Sequence, residues 1–371
     1  MSLRITATTL LAFFSGALLS IGGGAMAVAQ DWQAGAPASW AATVAAAKKE
    51  GTLVVAGRPE YAKALSDGFK RDTGLSVEFL QGEGREQLSR LAREIRAKQV
   101  TIDLLMGGQS LMTFVKDGQL KPVGPQLVLP GVTNPAMWTD GKIKWVDNDG
   151  QYLLQTSHEI FGKPVFNGDV IKPGEITNWQ DLLKPQYKGK IAAWDPTQGA
   201  GQAATGYLID VFGIDFVKKL FIDQQVNVTR VDRQLMEWVS RGAYPIGLGA
   251  VAVEVDRFRQ SGVKNLVVAE MTDGPGAIIG GSSVIGQPAG APHPNAATVF
   301  LNWYASQPAQ QIYSQVKQVP SRRLDVTTEG IPDYVIPKPG VTYIDQYTED
   351  WYLGKFLASY RDELIKALGG R

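Results

Sequence analysis

The sequence predicts an α/β chain made of two doubly wound lobes, and three observations carry that expectation. Short apolar runs alternate with amphipathic helical stretches, the rhythm of parallel strands joined by crossover helices. The 371 residues exceed one small core and suit two units of roughly 100–200 residues each. With no cysteine, the chain has no disulfide staple, no thiolate metal site and no thiol nucleophile.

The first residues read as export signal rather than fold. Arg4 precedes an apolar run over 5–21, followed by Gly22-Gly23-Gly24 and the small-residue pattern Ala27-Val28-Ala29. That is the pattern of a secretory signal peptide, 1–29, cut before Gln30. No later stretch reaches 18 apolar residues without a charge, so the remainder is expected to be exported, not membrane-inserted, and located in the periplasm. The 37 basic and 36 acidic side chains leave a net charge of +1, which gives no footprint for nucleic-acid binding.

The elements follow in order. Residues 52–57 (TLVVAG) read as the first parallel strand and 61–69 as its helix. A second strand over 75–80 follows the breaker Gly74. Residues 86–98 form a helix striped by Leu88, Leu91 and Ile95, and 101–106 (TIDLLM) a third strand running into Gly107-Gly108. A proline- and glycine-rich section, 121–141, leads to mixed strand character over 146–166. A short helix at 179–183, a strand at 189–194 and a helical region over 203–220, broken at Gly213, come next. Then 234–241 is helical, 244–252, 266–270 and 277–285 have strand character, and 295–305 and 309–315 are helices. Residues 330–340 are proline-rich, and 347–368 are mostly helical.

Several segments, in this order, resemble a known family. Residues 48–56 resemble its opening KKEGTLVV strand, and 69–79 (FKRDTGLSVEF) its aromatic–KxTGxxVxF turn. Phe166-Asn167 stands where Tyr-Asn is common; 179–196 (WQDLLKPQYKGKIAAWDP) and 238–249 (WVSRGAYPIGLG) are the most specific matches. The chain resembles a periplasmic solute-binding protein of an ABC importer, of the group with ferric-ion, thiamine, polyamine and phosphonate binders. The resemblance implies a type II two-lobe binding-protein fold with crossover strands and ligand in the cleft. Lobe one would be 31–166 plus 282–371, and lobe two 167–281. It further implies hinge closure, delivery to an inner-membrane permease and a monomer; from the residues themselves, no cofactor, no protein-held metal and no enzymatic activity are expected.

Ligands of such sheets sit at the carboxyl ends of strands and the helix N-termini beside them. Four loops are therefore candidates. Arg58, with Glu60 beside it, follows the first strand and could clamp a carboxylate or phosphate. Gly108, Gln109 and Ser110 follow the third strand, where Ser110 could instead cap the next helix. Trp194, Asp195 and Thr197 open a glycine-spaced loop in which Asp195 could equally fix the backbone. Gly249 and Ala250 would bring bare backbone to the ligand, with Ser282 and Ser283 as hydroxyl donors and Arg233 as a second clamp.

The ligand expected first is a small organic anion, carboxylate or phosphonate. The iron binders that the chain resembles commonly place adjacent tyrosines just after the segment matching 242–249, where this chain has Ala250-Val251-Ala252-Val253, and only His158 and His293 offer imidazoles, so ferric ion ranks lower, as itself or through a chelator, with Tyr61 and Glu60 as oxygen donors. A thiamine- or polyamine-like cation would need Trp194, Phe166, Asp195 and Glu254 in one pocket. A hydrolase or lyase is the alternative of another class: Ser282 or Ser283 beside Gly280-Gly281 suggests a nucleophile, but no Gly-x-Ser-x-Gly elbow is present.

Overall fold

The computed structural model describes residues 31–82, 84–274 and 276–368; the expected signal peptide lies outside them. The first lobe opens with a helix that the sequence reading did not anticipate, α1 (Trp40–Glu50), which buries only Trp40 and Ala47. β1 (Leu53–Gly57) passes into α2 (Pro59–Thr73), which starts with proline at its first position and stops at Gly74, φ 74°. Its buried stripe is Tyr61, Ala62, Leu65, Gly68 and Phe69. Then come β2 (Val77–Gln81), α3 (Gly84–Ala97), β3 (Leu104–Gly107), α4 (Met112–Lys116), β4 (Leu120–Lys121) and α5 (Pro130–Thr133). β5 (Lys144–Trp145) and β6 (Leu154–Gln155) follow, and β14 (Val284–Pro288) enters from far along the chain. The sheet order is β2-β1-β3-β14-β6-β5, with β4 on β14. β1 pairs in parallel with both β2 and β3, as the βαβ rhythm predicts.

The second lobe is a five-stranded sheet, β10-β9-β11-β8-β12, made of β8 (Val165–Asn167), β9 (Ile191–Trp194), β10 (Asn227–Thr229), β11 (Ile246–Leu248) and β12 (Leu266–Val268). Its helices are α6 (Gly199–Phe212), α7 (Ile214–Lys218), α8 (Asp232–Ser240) and α9 (Ala252–Gln260). The strand expected over 244–252 ends at Leu248. Gly249 turns at φ 77° and Val251 becomes the N-cap of α9.

Between the lobes runs a small sheet of crossovers: β7 (Glu159–Phe161) antiparallel to β13 (Ala277–Ile279), with β15 (Ile344–Asp345) parallel to β13. The segment expected over 277–285 is thus two strands, β13 and β14, separated by 280–283. The helices α10 (Pro294–Tyr304) and α11 (Gln307–Lys317) pack on the first lobe, where Gly68 lets α2 approach Ile312 of α11 closely. The tail, Asp350–Tyr360 in π-helical geometry followed by α12 (Arg361–Ala367), contributes Trp351, Tyr352, Phe356 and Leu364 to an apolar cluster. That cluster also holds Tyr207 and Leu208 of the second lobe and Phe114 and Val146 of the first.

Candidate functional site

A cleft of about 1420 Å³ opens between the lobes. One wall is Arg58, Pro59 and Glu60, at the end of β1. The other is Trp194 at the end of β9, the Arg230–Arg233 run after β10, and Glu254 and Arg257 on α9. Arg58, Glu60, Trp194 and Arg233 therefore meet in one space, as strand-end logic predicts. Charges of both signs line the cleft: Asp169, Asp232, Glu237 and Glu254 stand among the arginines.

Four of the cleft arginines are each held by an acid. Arg58 pairs through Nε with Glu60 at 3.2 Å, Arg233 with Glu237 at 3.0 Å, and Arg257 with Glu254 at 3.0 Å. Arg230 pairs with Asp195 at 2.7 Å. A guanidinium has five donors in a planar fork, so pairing with a carboxylate fixes its orientation.

Asp195 has the backbone-fixing role. It is buried and accepts from Thr197 N, Thr197 Oγ1 and Gln198 Nε2 as well as Arg230. Burial pushes its carboxyl up, but these donors win and hold it below the usual range. Thr197 spends its hydroxyl on Asp195, so neither it nor Asp195 lines the cleft. Trp194 does line it, and its indole N–H donates to Asp232. Gly249 and Ala250 lie behind that wall; a Cβ on Gly249 would come 3.1 Å from Trp194 Cβ.

The third-strand and recrossing loops meet beside β1 through tyrosines rather than through the cleft wall. Arg58 N donates to Tyr61 Oη at 3.0 Å, and Ser282 Oγ lies 3.1 Å from Tyr313 Oη. Tyr347 Oη donates to Gly281 O at 2.8 Å, and the same hydroxyl would stand 3.1 Å from a Cβ on Gly108. Gln109 is buried with its Oε1 unpartnered. Ser110 forms no side-chain cap; Gly108 is the N-cap residue there. Ser283 is fully buried, donating to Gly280 O and accepting from Ser157 N, which uses its hydroxyl in the crossover. Phe166 is buried in β8, and His293 is bound to Asp103, with Nδ1 2.8 Å from Oδ2.

Two charged groups near Glu60 were not foreseen. Lys317, the last residue of α11, puts Nζ 3.7 Å from Glu60 Oε1. Burial lowers its pKa, against the pull of Glu60, Glu159 and, from the other lobe, Asp232. Glu159, on β7, is 9% exposed, and burial pushes its carboxyl up to about 7, with Lys317 opposing. Glu60 also feels burial, but Lys317 and Arg58 outweigh it and keep the carboxyl below its ordinary value. Lys317 lies more than 250 residues from Glu60, and no local pattern marks it. The signal for Glu159 was visible only as its neighbour His158 in a crossover.

Residues 64–335 match the model of the bacterial extracellular solute-binding proteins. The chain belongs to that family. It is 22% identical over 262 residues to iron uptake protein A1 of Synechocystis, covering 67% of this chain and 68% of that one. Among solved structures, a Trichodesmium protein (IdiA, FutA) in complex with iron and citrate ligands superposes with a TM-score of 0.65 at 20% identity, over 86% of this chain and 99% of that one. AfuA of Actinobacillus pleuropneumoniae, with exogenous fructose-6-phosphate bound, superposes at 0.64 and 15% identity, over 84% and 98%. These likenesses agree with the two-lobe fold expected from the sequence. Among the described residues no helix is long and apolar enough to cross a membrane, and no three His, Asp or Glu side chains gather as a metal site.

Proposed function

We propose that this protein is the solute-capturing component of an ABC importer in the periplasm, working as a monomer that hands its cargo to an inner-membrane permease, and that the cargo is ferric iron carried inside an anionic carboxylate chelate. The observation that carries the reading is the placing of arginines on both cleft walls, Arg58 on one and Arg230 and Arg233 on the other. A ferric ion in a hydroxycarboxylate chelate has its inner shell filled by the chelator. The protein then needs only to meet the outer carboxylate oxygens, which is guanidinium chemistry. The relatives named for iron, one of them with citrate beside the metal, support the iron part and move it ahead of the metal-free anion expected first from the sequence. Direct ferric ligation fits less well, because Ala250 and Val251 have no donor oxygen in their side chains. One relative is named for uptake and another is held in complex with iron and citrate, which supports a binding rather than catalytic role.

A metal-free phosphate or carboxylate ester is the second reading, favoured by the same arginines and by the sugar phosphate held in AfuA. Native mass spectrometry and metal analysis of protein released from the periplasm separate the two. Iron and a carboxylate chelator retained together are expected. A retained organic phosphate or carboxylate with no iron would replace the chelate reading with the second one. Titration with ferric citrate, citrate alone and iron on a weak chelator should rank the first tightest.

A further inference from the structure

The C-terminal helix touches both lobes, and its polar attachments to them differ in kind. On the second lobe the grip is buried and multiple. Asp210 of α6, with a side chain 7% exposed, accepts from Trp351 Nε1 at 2.5 Å, Lys355 Nζ at 3.2 Å and Tyr360 Oη at 3.0 Å. One turn earlier on the same face, Gly206 leaves room for the Trp351 ring: a Cβ there would stand 2.5 Å from Trp351 Cζ2. On the first lobe the hydrogen-bonded grip is exposed, beside the apolar cluster that the tail shares with Phe114 and Val146. Glu349 N donates to Val146 O at 2.9 Å. Asn148 N donates to Glu349 Oε2 and Asn148 Nδ2 to Asp350 Oδ1, both at 2.8 Å and both exposed.

The chain reaches this helix through β15, the third strand of the crossover sheet. Any rotation of the lobes about that sheet must therefore either carry the helix with one lobe or break one of its attachments. Exposed hydrogen bonds exchange readily with water, whereas a buried carboxylate with three donors does not. Of the polar attachments, the Asn148 end is the one that yields.

We propose that the C-terminal helix is a tether, anchored to the second lobe at Asp210 and Gly206 and releasably held to the first lobe at Val146 and Asn148, that limits how far the empty cleft opens. Its π-helical geometry over Asp350–Tyr360 accords with a helix wound to meet two surfaces at once. This inference concerns the lobes and not the cargo, so it stands or falls independently of the iron-chelate reading.

The test uses the absence of cysteine. K63C/K264C puts two spin labels on exposed positions of opposite lobes with no competing thiol. Pulsed electron–electron resonance on the ligand-free protein is then read for the parent, E349A/D350A and D210N. E349A/D350A removes only exposed acceptors, so melting temperature should stay close to the parent while the interlobe distances lengthen and broaden. D210N weakens the lobe-two anchor and should broaden them too. Identical distance distributions in the parent and E349A/D350A would overturn the tether. So would a D210N protein that loses thermal stability with no change in distances, since the helix would then be ordinary core.

Discussion

Arg230 donates from Nε to Asp195 Oδ2 at 2.7 Å, joining the loop after β10 to the loop after β9. The pair couples an exposed guanidinium on the cleft wall to a buried carboxylate that organises the loop behind it. One residue thus serves shape and the other serves the cleft, although both lie at strand ends.

Asp195→Ala should accordingly behave as a stability variant. It strands the Thr197 and Gln198 donors, and a loss of about 2–4 kcal/mol is expected in urea unfolding. The Asp195 carboxyl lies below its ordinary pKa when folded, so its stabilisation is present above the unfolded value and is lost as pH falls through the folded one. Asp195→Ala should therefore lose this part of the acid sensitivity. Unchanged unfolding midpoints would make the loop self-supporting.

Arg58→Ala should weaken cargo binding with little effect on folding. Its side chain sits at the cleft wall, so the loss is of a charge-assisted contact, about 1.5–3 kcal/mol, or roughly ten- to a hundredfold. Arg58→Lys should restore part of that, because charge returns without the planar fork. Calorimetric titration of the three proteins with ferric citrate measures it, and equal affinities would remove Arg58 from the site.

The sequence was most legible where apolar runs are long and punctuated. Leu53–Gly57 and Pro59–Thr73 are bounded by Gly51 and Gly74, and the structure keeps both elements. α1 escaped notice because alanines give it no large buried stripe, and β10 because Asn227–Thr229 is a three-residue edge strand. The alternation of Ala250-Val251-Ala252-Val253 mimics a strand, and only the positive φ of Gly249 turns it into a helix start. At the site, strand ends announced Arg58, Glu60 and Trp194. Arg230 and Asp232 stand at the end of β10 and were hidden with that strand, whereas Lys317 is positioned by tertiary packing that no spacing encodes.

Glu159→Gln should flatten the pH profile of stability on the neutral side. Burial raises the Glu159 pKa from its ordinary 4.5 to about 7. Between those values the native state holds a proton that the unfolded chain has released. Its contribution is therefore full below about pH 4.5 and is lost as pH rises through about 7, a change on the order of 3 kcal/mol. Urea unfolding at pH 5 and pH 8 should differ less in Glu159→Gln than in the parent. An equal difference would mean that Glu159 is ionised throughout.

His158, its neighbour, should act with the opposite sign. Burial, and then Arg322, lowers its pKa from 6.5 to about 3. The native state refuses a proton that the unfolded chain accepts, so stability is present above about pH 6.5 and is lost as pH falls toward 3. His158→Gln, which cannot titrate, should lose less stability between pH 7 and pH 4.5 than the parent does. Parallel profiles would show that the imidazole reaches water.

Gly206→Ala sets two ordinary effects against each other. In an exposed helix the change would stabilise by about 0.5–1 kcal/mol, through backbone entropy. Here the added methyl would come within 2.5 Å of Trp351 Cζ2 and 2.6 Å of Cη2. The indole cannot easily swing aside, because its N–H is bound to Asp210 one turn along the same helix. Overpacking of about 1–3 kcal/mol should then win, and the variant should unfold at lower urea than the parent. Trp351→Phe separates the terms: a smaller ring without the Asp210 bond can shift, so Gly206→Ala should cost less in that background. The double-mutant cycle measures the coupling directly. A Gly206→Ala protein as stable as the parent in both backgrounds would mean that α6 and the C-terminal helix adjust freely, and close packing at this contact could no longer be what anchors the tail to the second lobe.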